Sequence, residues 1–286
     1  MTLVGTWRSV RNWSGPLLLG LGCALSVPAA QAADVVPDTD IWLKVRESFF
    51  GARPIRADAD DVIRLEAPNR AQDAATVPIA IRTQLPQAGE RYIRTVYLIV
   101  DRNPSPIAAI FRLTPDSGRA EIETRIRIEE YTAVRAIAEM SDGELYGSAR
   151  FVKAAGGCSA PAGKDPEAAL ARLGRMKFHL DQAVVLGEPN LAQLMISHPN
   201  HSGLAMDQLT RHYVPAYFVR TINVTYSGKP VLNAEVDFSI SENPNFRFYF
   251  VPREDGELKA EVVDTKDLKF ESLFAVRRGL STKAGE

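Results

Sequence analysis

Short runs of alternating apolar and polar residues, separated by turn sequences, constrain this fold more than any other feature. In the run "AEIETRIRI" (120–128), Ile122, Thr124, Ile126 and Ile128 share one face, and Glu and Arg residues occupy the other. A period of two is typical of a strand that is buried on one side. Such runs recur through most of the chain, and this spacing predicts antiparallel β-sandwiches.

The predicted strands form two groups on either side of a segment rich in Ala, Gly and Pro. We therefore predict an all-β protein with two immunoglobulin-like antiparallel β-sandwich domains. In "YSGKPV" (226–231) a tight hairpin is indicated. The predicted boundaries are a signal peptide at 1–33, a first sandwich at 34–153, a linker at 154–170, a second sandwich at 171–276 and a tail at 277–286.

One short helix is predicted before the first sandwich. In "DTDIWLKVRESFFG" (38–51), the apolar residues follow helical spacing. Asp38 or Thr39 would serve as the N-cap, and Gly51 would end the helix.

The N-terminal segment has the features of a secretory signal peptide. Its only charged residues are two arginines, an apolar stretch follows at 15–27, and "AAQAAD" (29–34) offers a small-residue cleavage site. This pattern predicts a periplasmic protein. Cys23 raises the alternative of lipoprotein processing, in which that cysteine would be lipidated. Downstream of the signal, no run of about 18 apolar residues follows, so we expect no membrane span.

Cys158 is the only cysteine outside the predicted signal peptide. A lone cysteine in an oxidising compartment cannot form an internal disulfide. It lies in "FVKAAGGCSAPAGKDPEAAL" (151–170), where bulky residues are absent around the thiol. Because small residues cannot anchor a core, we expect an exposed, flexible stretch rather than a buried small hydrophobe. Two readings of an exposed thiol stay open: a disulfide-linked dimer through Cys158, and a covalent carrier arm.

The stretch contains no residue that would act as a catalytic base beside the thiol. It lacks histidine, and Lys153 and Lys164 would favour the thiolate only weakly. The chain has no hydrolase triad, phosphate-binding loop or dinucleotide fingerprint. Its formal net charge of −1 provides no general attraction for nucleic acid. We therefore expect no catalytic residues, no cofactor and no enzyme activity, with partners supplying the chemistry.

Several sequence motifs resemble the two subunits of the bacterial SoxYZ sulfur-oxidation carrier. "VPIAIRT" (77–83), "RNPSPIAAIFRLTPDSGRAEIETRIRI" (102–128) and "VRAIAEMSDGELYGSARFVKAAGGC" (134–158) are similar to SoxY. "LMISHP" (194–199), "YVPAYFVRTINVTYSGKPVLNAEV" (213–236) and "ENPNFRFYF" (242–250) are similar to SoxZ. The arrangement resembles the fused SoxYZ-like carriers that are associated with quinoprotein dehydrogenases.

This resemblance implies a covalent role for Cys158. In the family, a C-terminal Gly-Gly-Cys-Gly-Gly arm carries the sulfur substrate, and Gly156 and Gly157 match the glycines that precede the cysteine. Here Ser159 and Ala160 replace the glycines that follow, and the chain continues into a second domain. The resemblance implies sulfur-oxidation enzymes or a quinoprotein dehydrogenase system as partners, and thiosulfate-type sulfur compounds as cargo.

Two further readings compete with the carrier. The chain could be a non-covalent binding or assembly module that serves a periplasmic quinoprotein dehydrogenase. His198, His201 and His212 also invite a metal hypothesis, because H-x-x-H occurs in metal sites. We interpret them instead as polar residues of a loop at a strand end and predict no metal site.

Overall fold

The computed structural model describes residues 36–161, 166–208 and 210–282, which all belong to one compact unit. The predicted signal peptide, with Cys23, lies outside the described residues. So do the last four residues of the predicted tail. No helix in the described ranges is long and apolar enough to cross a membrane.

The described chain consists mainly of β-strands, with two α-helices and one 3-10 turn at Pro115–Ser117. The helices are α1 (Asp40–Phe50) and α2 (Pro166–Ala171). The strands of the first half, residues 36–161, are β1 (Ile55–Arg56), β2 (Ile63–Glu66), β3 (Val77–Thr83), β4 (Ile93–Val100), β5 (Ile107–Leu113), β6 (Ile122–Ile126), β7 (Thr132–Met140) and β8 (Leu145–Val152). Those of the second half, residues 166–282, are β9 (Met176–Leu180), β10 (Asn190–Ile196), β11 (Val219–Tyr226), β12 (Lys229–Val236), β13 (Asn245–Phe250), β14 (Gly256–Asp264) and β15 (Lys269–Val276).

Two sheets run through both halves. One has nine strands in the order β1-β8-β7-β4-β5-β12-β11-β14-β15, and the other has six in the order β2-β3-β6-β13-β10-β9. All strand pairs are antiparallel except the two-residue pairing of β1 with β8. The predicted all-β class with two β-sandwiches is confirmed.

The two sandwiches join edge to edge along a seam. In the nine-stranded sheet, β5 pairs with β12 from Ala109–Val236 to Leu113–Leu232. In the other sheet, β6 meets β13 at the pair Glu123–Arg247. Between the sheets, the rings of Phe111 and Phe246 lie 6.0 Å apart in an edge-to-face arrangement across the seam. One continuous apolar cluster therefore fills both halves.

Helix α1 packs on the outer face of the nine-stranded sheet. Trp42 and Phe50 are buried there against Ile99, Ile137 and Leu145, in a cluster separate from the main core. The Thr39 side chain accepts a hydrogen bond from the Trp42 N–H, and Gly51 ends the helix at a φ of 58°. The predicted helix and its stop are confirmed, and Thr39 is the N-cap.

The hairpin predicted from the sequence is present, and the structure has further elements that were not predicted. Strands β11 and β12 form the predicted hairpin, with positive φ at Ser227 and Gly228 as a primed turn requires. Strands β1 and β15 were not predicted from the sequence, and α2 begins inside the predicted linker 154–170. The domain boundaries themselves stay predictions.

Candidate functional site

The chain that leaves β8 folds back onto the first half and does not project from it. We call residues 154–161 the arm. The Lys153 N–H donates to the carbonyl oxygen of Asn69 at 2.9 Å. The N–H groups of Gly156 and Gly157 then donate to the carbonyl oxygens of Glu129 and Ile128, at 2.8 and 2.9 Å. Backbone hydrogen bonds thus hold the arm beside the segment that follows β6.

The two glycines allow this close approach. Gly156 has a φ of 80°, which side chains rarely adopt. A Cβ atom on Gly157 would overlap the carbonyl oxygen of Ala74 and approach the Ile128 nitrogen to 2.8 Å. In this structure Gly157 therefore serves contact with the backbone rather than freedom of movement.

Glu129 binds the arm at the cysteine itself. Its carboxylate Oε2 accepts hydrogen bonds from the N–H groups of Cys158 and Ser159, at 2.8 and 3.1 Å. Its Oε1 accepts a third from the Ser159 hydroxyl at 2.8 Å. Hydrogen bonds to a charged acceptor are stronger than neutral ones, so Glu129 is the principal polar contact of the arm.

The second half holds the arm from the opposite side. The Ser202 hydroxyl, which is buried, donates a hydrogen bond to the carbonyl oxygen of Cys158. Ser202 belongs to a loop whose Asn200 donates to the Ile240 carbonyl oxygen and accepts from the Val219 N–H. Both halves therefore form hydrogen bonds with the peptide groups of Cys158.

The side chain of Cys158 is buried, with 1% of its surface exposed. The expectation of an exposed thiol is wrong. The arm packs although its residues are small, because its backbone groups form hydrogen bonds to the protein. Gly157 also lacks the Cβ atom that would collide with the backbone of Ala74. Burial and the Glu129 carboxylate raise the pKa of the Cys158 thiol to about 12, and Asp237 adds to the rise. The thiol is therefore protonated at neutral pH and cannot act as a nucleophile in this position.

Arg127 partly offsets the negative charges around the thiol. Its guanidinium favours the thiolate of Cys158. It is nevertheless occupied structurally, since Nη1 donates to the carbonyl oxygens of Phe238 and Ile240 at 2.8 and 2.7 Å. Burial lowers the pKa of Arg127 itself. In the part of the chain that the structure describes, two carboxylates thus disfavour the Cys158 thiolate and one guanidinium favours it.

Of the three histidines considered for a metal site, His198 supports the loop that carries Ser202, and His212 is exposed. His198 Nδ1 accepts the Asn200 N–H at 3.0 Å, and its Nε2 lies 3.6 Å from the buried Asp264 carboxylate. Burial lowers the pKa of His198 to about 4, so the ring is neutral at pH 7. Its ring packs edge-on against Tyr217 with centroids 4.6 Å apart. No group of three His, Cys, Asp or Glu side chains within the described ranges is placed to hold a metal ion.

Comparison with protein families gives two matches that together span most of the chain. Residues 46–158 match the model of the sulfur oxidation protein SoxY, and residues 177–274 match that of the sulphur oxidation protein SoxZ. The chain belongs to the fused SoxYZ-like carriers. The first half is its SoxY half and the second is its SoxZ half. We call the surface that binds the arm, which includes Ile128, Glu129 and Ser202, the dock. The seam and the arm dock thus both join a SoxY domain to a SoxZ domain.

Solved structures provide further, weaker likenesses. The sulfur carrier protein SoxY from Chlorobium limicola f thiosulfatophilum is 25% identical, with a TM-score of 0.33; the match covers 40% of this chain and 94% of that one. A superoxide reductase (neelaredoxin) from Ignicoccus hospitalis is 12% identical, with a TM-score of 0.31, and covers 35% of this chain and 94% of its own. Among curated proteins no match was found. The family assignment rests on the two family models.

The structure thus places the predicted site residues Cys158, Gly156 and Gly157 together in a dock formed by both halves. Sequence reasoning missed Glu129 and Ser202. Neither lies in a motif, and they are separated from Cys158 by 29 and 44 positions. The SoxY match ends at Cys158, so the cysteine lies at the last matched position of that domain.

Proposed function

We propose that this protein is a periplasmic covalent carrier of sulfur-compound intermediates on Cys158. One observation carries the proposal: the SoxY match ends on this cysteine, the only one outside the predicted signal peptide. Gly156 and Gly157 precede it, as in the family's arm. Periplasmic sulfur-oxidation enzymes or a quinoprotein dehydrogenase system would supply the chemistry, and the carrier itself would not be an enzyme.

Carriage requires release of the arm from its dock. A thiol with a pKa of about 12 and 1% exposure cannot meet a partner enzyme. Once released, the thiol regains a pKa of about 8.5, and its thiolate fraction at pH 7 increases by orders of magnitude. Polar contacts hold most of the arm, and its described residues bury only two apolar side chains, Ala154 and Cys158. Such segments open locally at far lower free energy than the whole fold.

The loading step can be written without an added oxidant. The released Cys158 thiol gives its proton to solvent, and the thiolate attacks an inner sulfane sulfur of tetrathionate. A sulfur–sulfur bond forms to Cys158, the donor's own sulfur–sulfur bond breaks, and thiosulfate leaves with the electron pair. Loading from thiosulfate itself additionally needs a two-electron oxidant, which a partner redox enzyme would provide.

A non-covalent assembly module is the second candidate, and the burial of Cys158 favours it. A docked cysteine could contribute only to packing between the SoxY and SoxZ halves. In that case, replacing Cys158 by Ser would leave function intact, whereas a carrier would lose it completely. A disulfide-linked dimer through Cys158 needs the same release as carriage and stays a proposal.

Mass spectrometry of protein treated with tetrathionate tests the carrier. The tryptic peptide 154–164 contains Cys158. We expect it to gain the mass of a thiosulfonate adduct, which a reductant should remove. Cys158→Ser is the control and should gain no adduct. A denatured sample of the same protein should react fully, which shows that the thiol is intact. If the peptide from the folded protein then stays unmodified with both tetrathionate and the partner enzymes, the proposal is overturned.

A further inference from the structure

Glu129 occupies an unusual position for a surface carboxylate of a β-protein. It follows β6, and its own N–H is fixed by a hydrogen bond to Asn103 Oδ1 at 2.9 Å. With the backbone fixed in this way, the side chain points at the arm and binds Cys158 and Ser159. Its neighbour Glu130 faces solvent and lies 3.4 Å from Arg102.

The same carboxylate, which binds the N–H of Cys158, also disfavours negative charge on that cysteine. Asp237 acts in the same direction, and Arg127 is the group among the described residues that opposes them. Asp237 is itself anchored in the seam, where it accepts a hydrogen bond from the Ser105 hydroxyl at 3.1 Å. The dock therefore combines tight closure around the thiol with an excess of negative charge.

We infer that Glu129 is a positioning residue that holds the arm in its dock while Cys158 is uncharged and excludes the arm when Cys158 carries an anionic adduct. This inference rests on the proposed carrier function. When Cys158 carries no adduct, three hydrogen bonds from the arm to the Glu129 carboxylate hold the arm in place. An anionic adduct on Cys158, a residue with 1% exposure, must displace its surroundings beside the Glu129 carboxylate, where Asp237 also disfavours negative charge. The loaded arm is then displayed to partners, and the empty arm is withdrawn.

Alkylation of Cys158 by uncharged iodoacetamide tests the holding function, because it reports how often the arm opens. We expect Glu129→Gln, which keeps the shape but loses the charge, to react about tenfold faster than wild type. Glu129→Ala should react faster still. The matched control Glu130→Gln should stay within about twofold of wild type. The melting temperature separates arm opening from global unfolding, and an unchanged rate in Glu129→Gln would overturn the inference.

A pair of nearly isosteric adducts tests the exclusion of charge. Iodoacetate leaves a carboxymethyl group on Cys158, and iodoacetamide leaves a neutral carbamidomethyl group of similar size. We expect the amides of Gly157, Cys158 and Ser159 to exchange with deuterium about tenfold faster in the anionic adduct. In Glu129→Gln this difference should shrink by at least half. Equal exchange of the two adducts in wild type would overturn the inference.

These measurements do not depend on sulfur chemistry. If tetrathionate never loads Cys158 but the two alkylated forms differ as expected, the carrier proposal fails and the role of Glu129 stands. If tetrathionate loads Cys158 but alkylation is insensitive to Glu129, the carrier stands and the inference fails.

Discussion

Two of the contacts between the SoxY and SoxZ halves differ in their chemistry. Along the seam, β5 pairs with β12 over five residues, and Phe111 meets Phe246 inside the shared core. At the arm dock, one short peptide donates hydrogen bonds to Glu129 of the SoxY half and accepts one from Ser202 of the SoxZ half. Apolar burial resists separation throughout the fold, whereas polar contacts to a peptide can be exchanged for water. We therefore expect the seam to stay closed in the folded protein and the arm dock to open reversibly.

Removing an aromatic ring at the seam should give the largest effect. Phe111 is fully buried and packs against Phe246. We expect Phe111→Ala to lower the free energy of unfolding by about 3–5 kcal/mol. Chemical denaturation with two probes, one in each half, should still show one transition. As a control, Leu273→Ala at a position with 54% exposure should cost under about 0.5 kcal/mol. Separate transitions for the halves would show that the seam does not couple them.

Acid should weaken the loop that carries Ser202. The pKa of His198 is about 4 in the fold and about 6.5 in the unfolded chain. The stability gained from the neutral ring is therefore complete above about pH 6.5. It is lost as the pH falls toward 4, by up to about 1.4 kcal/mol per pH unit. Denaturation from about pH 7 to about pH 5 should show a shallower loss for His198→Gln than for wild type.

The exposed His212 provides the control for this acid effect. His212→Gln should keep the wild-type slope. A His198→Gln protein with an unchanged slope would mean that the ring is not held neutral. If acid also speeds alkylation of Cys158 before global unfolding, the loop belongs to the dock as well as to the fold.

A methyl group at position 157 should open the dock and leave the seam intact. The Cβ of Gly157→Ala would collide with the Ala74 carbonyl oxygen. Overpacking of this kind costs about 1–3 kcal/mol, so alkylation of Cys158 should become about tenfold to a hundredfold faster. Ala155→Ser, at an exposed position of the arm, should change the rate little. Slow alkylation in Gly157→Ala would contradict the steric account of the arm.

The smallest effect is expected from the exposed ion pair that crosses the seam. Arg112 Nη1 lies 2.6 Å from Glu235 Oε1, and both side chains are about half exposed. Solvent screens such pairs, so Arg112→Ala should cost no more than about 0.5–1 kcal/mol. The loss should diminish further in high salt. A loss comparable to that of Phe111→Ala would place the strength of the seam in its charges rather than its core.

Much of the fold could be predicted from local patterns. Alternation located most strands, Thr39 and Gly51 marked the ends of α1, and the Ser227-Gly228 turn marked a hairpin. Each of these signals acts over a few residues. The continuity of the sheets could not be predicted, because pairing of β5 with β12 joins residues more than a hundred positions apart.

The candidate site was predicted only in part. Cys158 could be singled out because it is the lone cysteine after the predicted signal peptide. Its burial could not be predicted, since the partners of the arm come from Glu129, Ile128 and Ser202, which are distant in sequence. Small residues indicated a chain without anchoring side chains. They equally permit the backbone to pack closely, as Gly157 does against Ala74.

The chain is continuous on both sides of Cys158, and this limits how a partner enzyme would reach the cysteine. Seven residues, 159–165, separate the cysteine from α2. A cysteine near a free chain end could enter a narrow tunnel alone. Here the backbone segments before and after Cys158 would have to enter the partner's site together, about 5 Å apart. If Cys158 carries the proposed cargo, a partner enzyme would need an open slot rather than a tunnel, and the arm could leave that slot without being unthreaded.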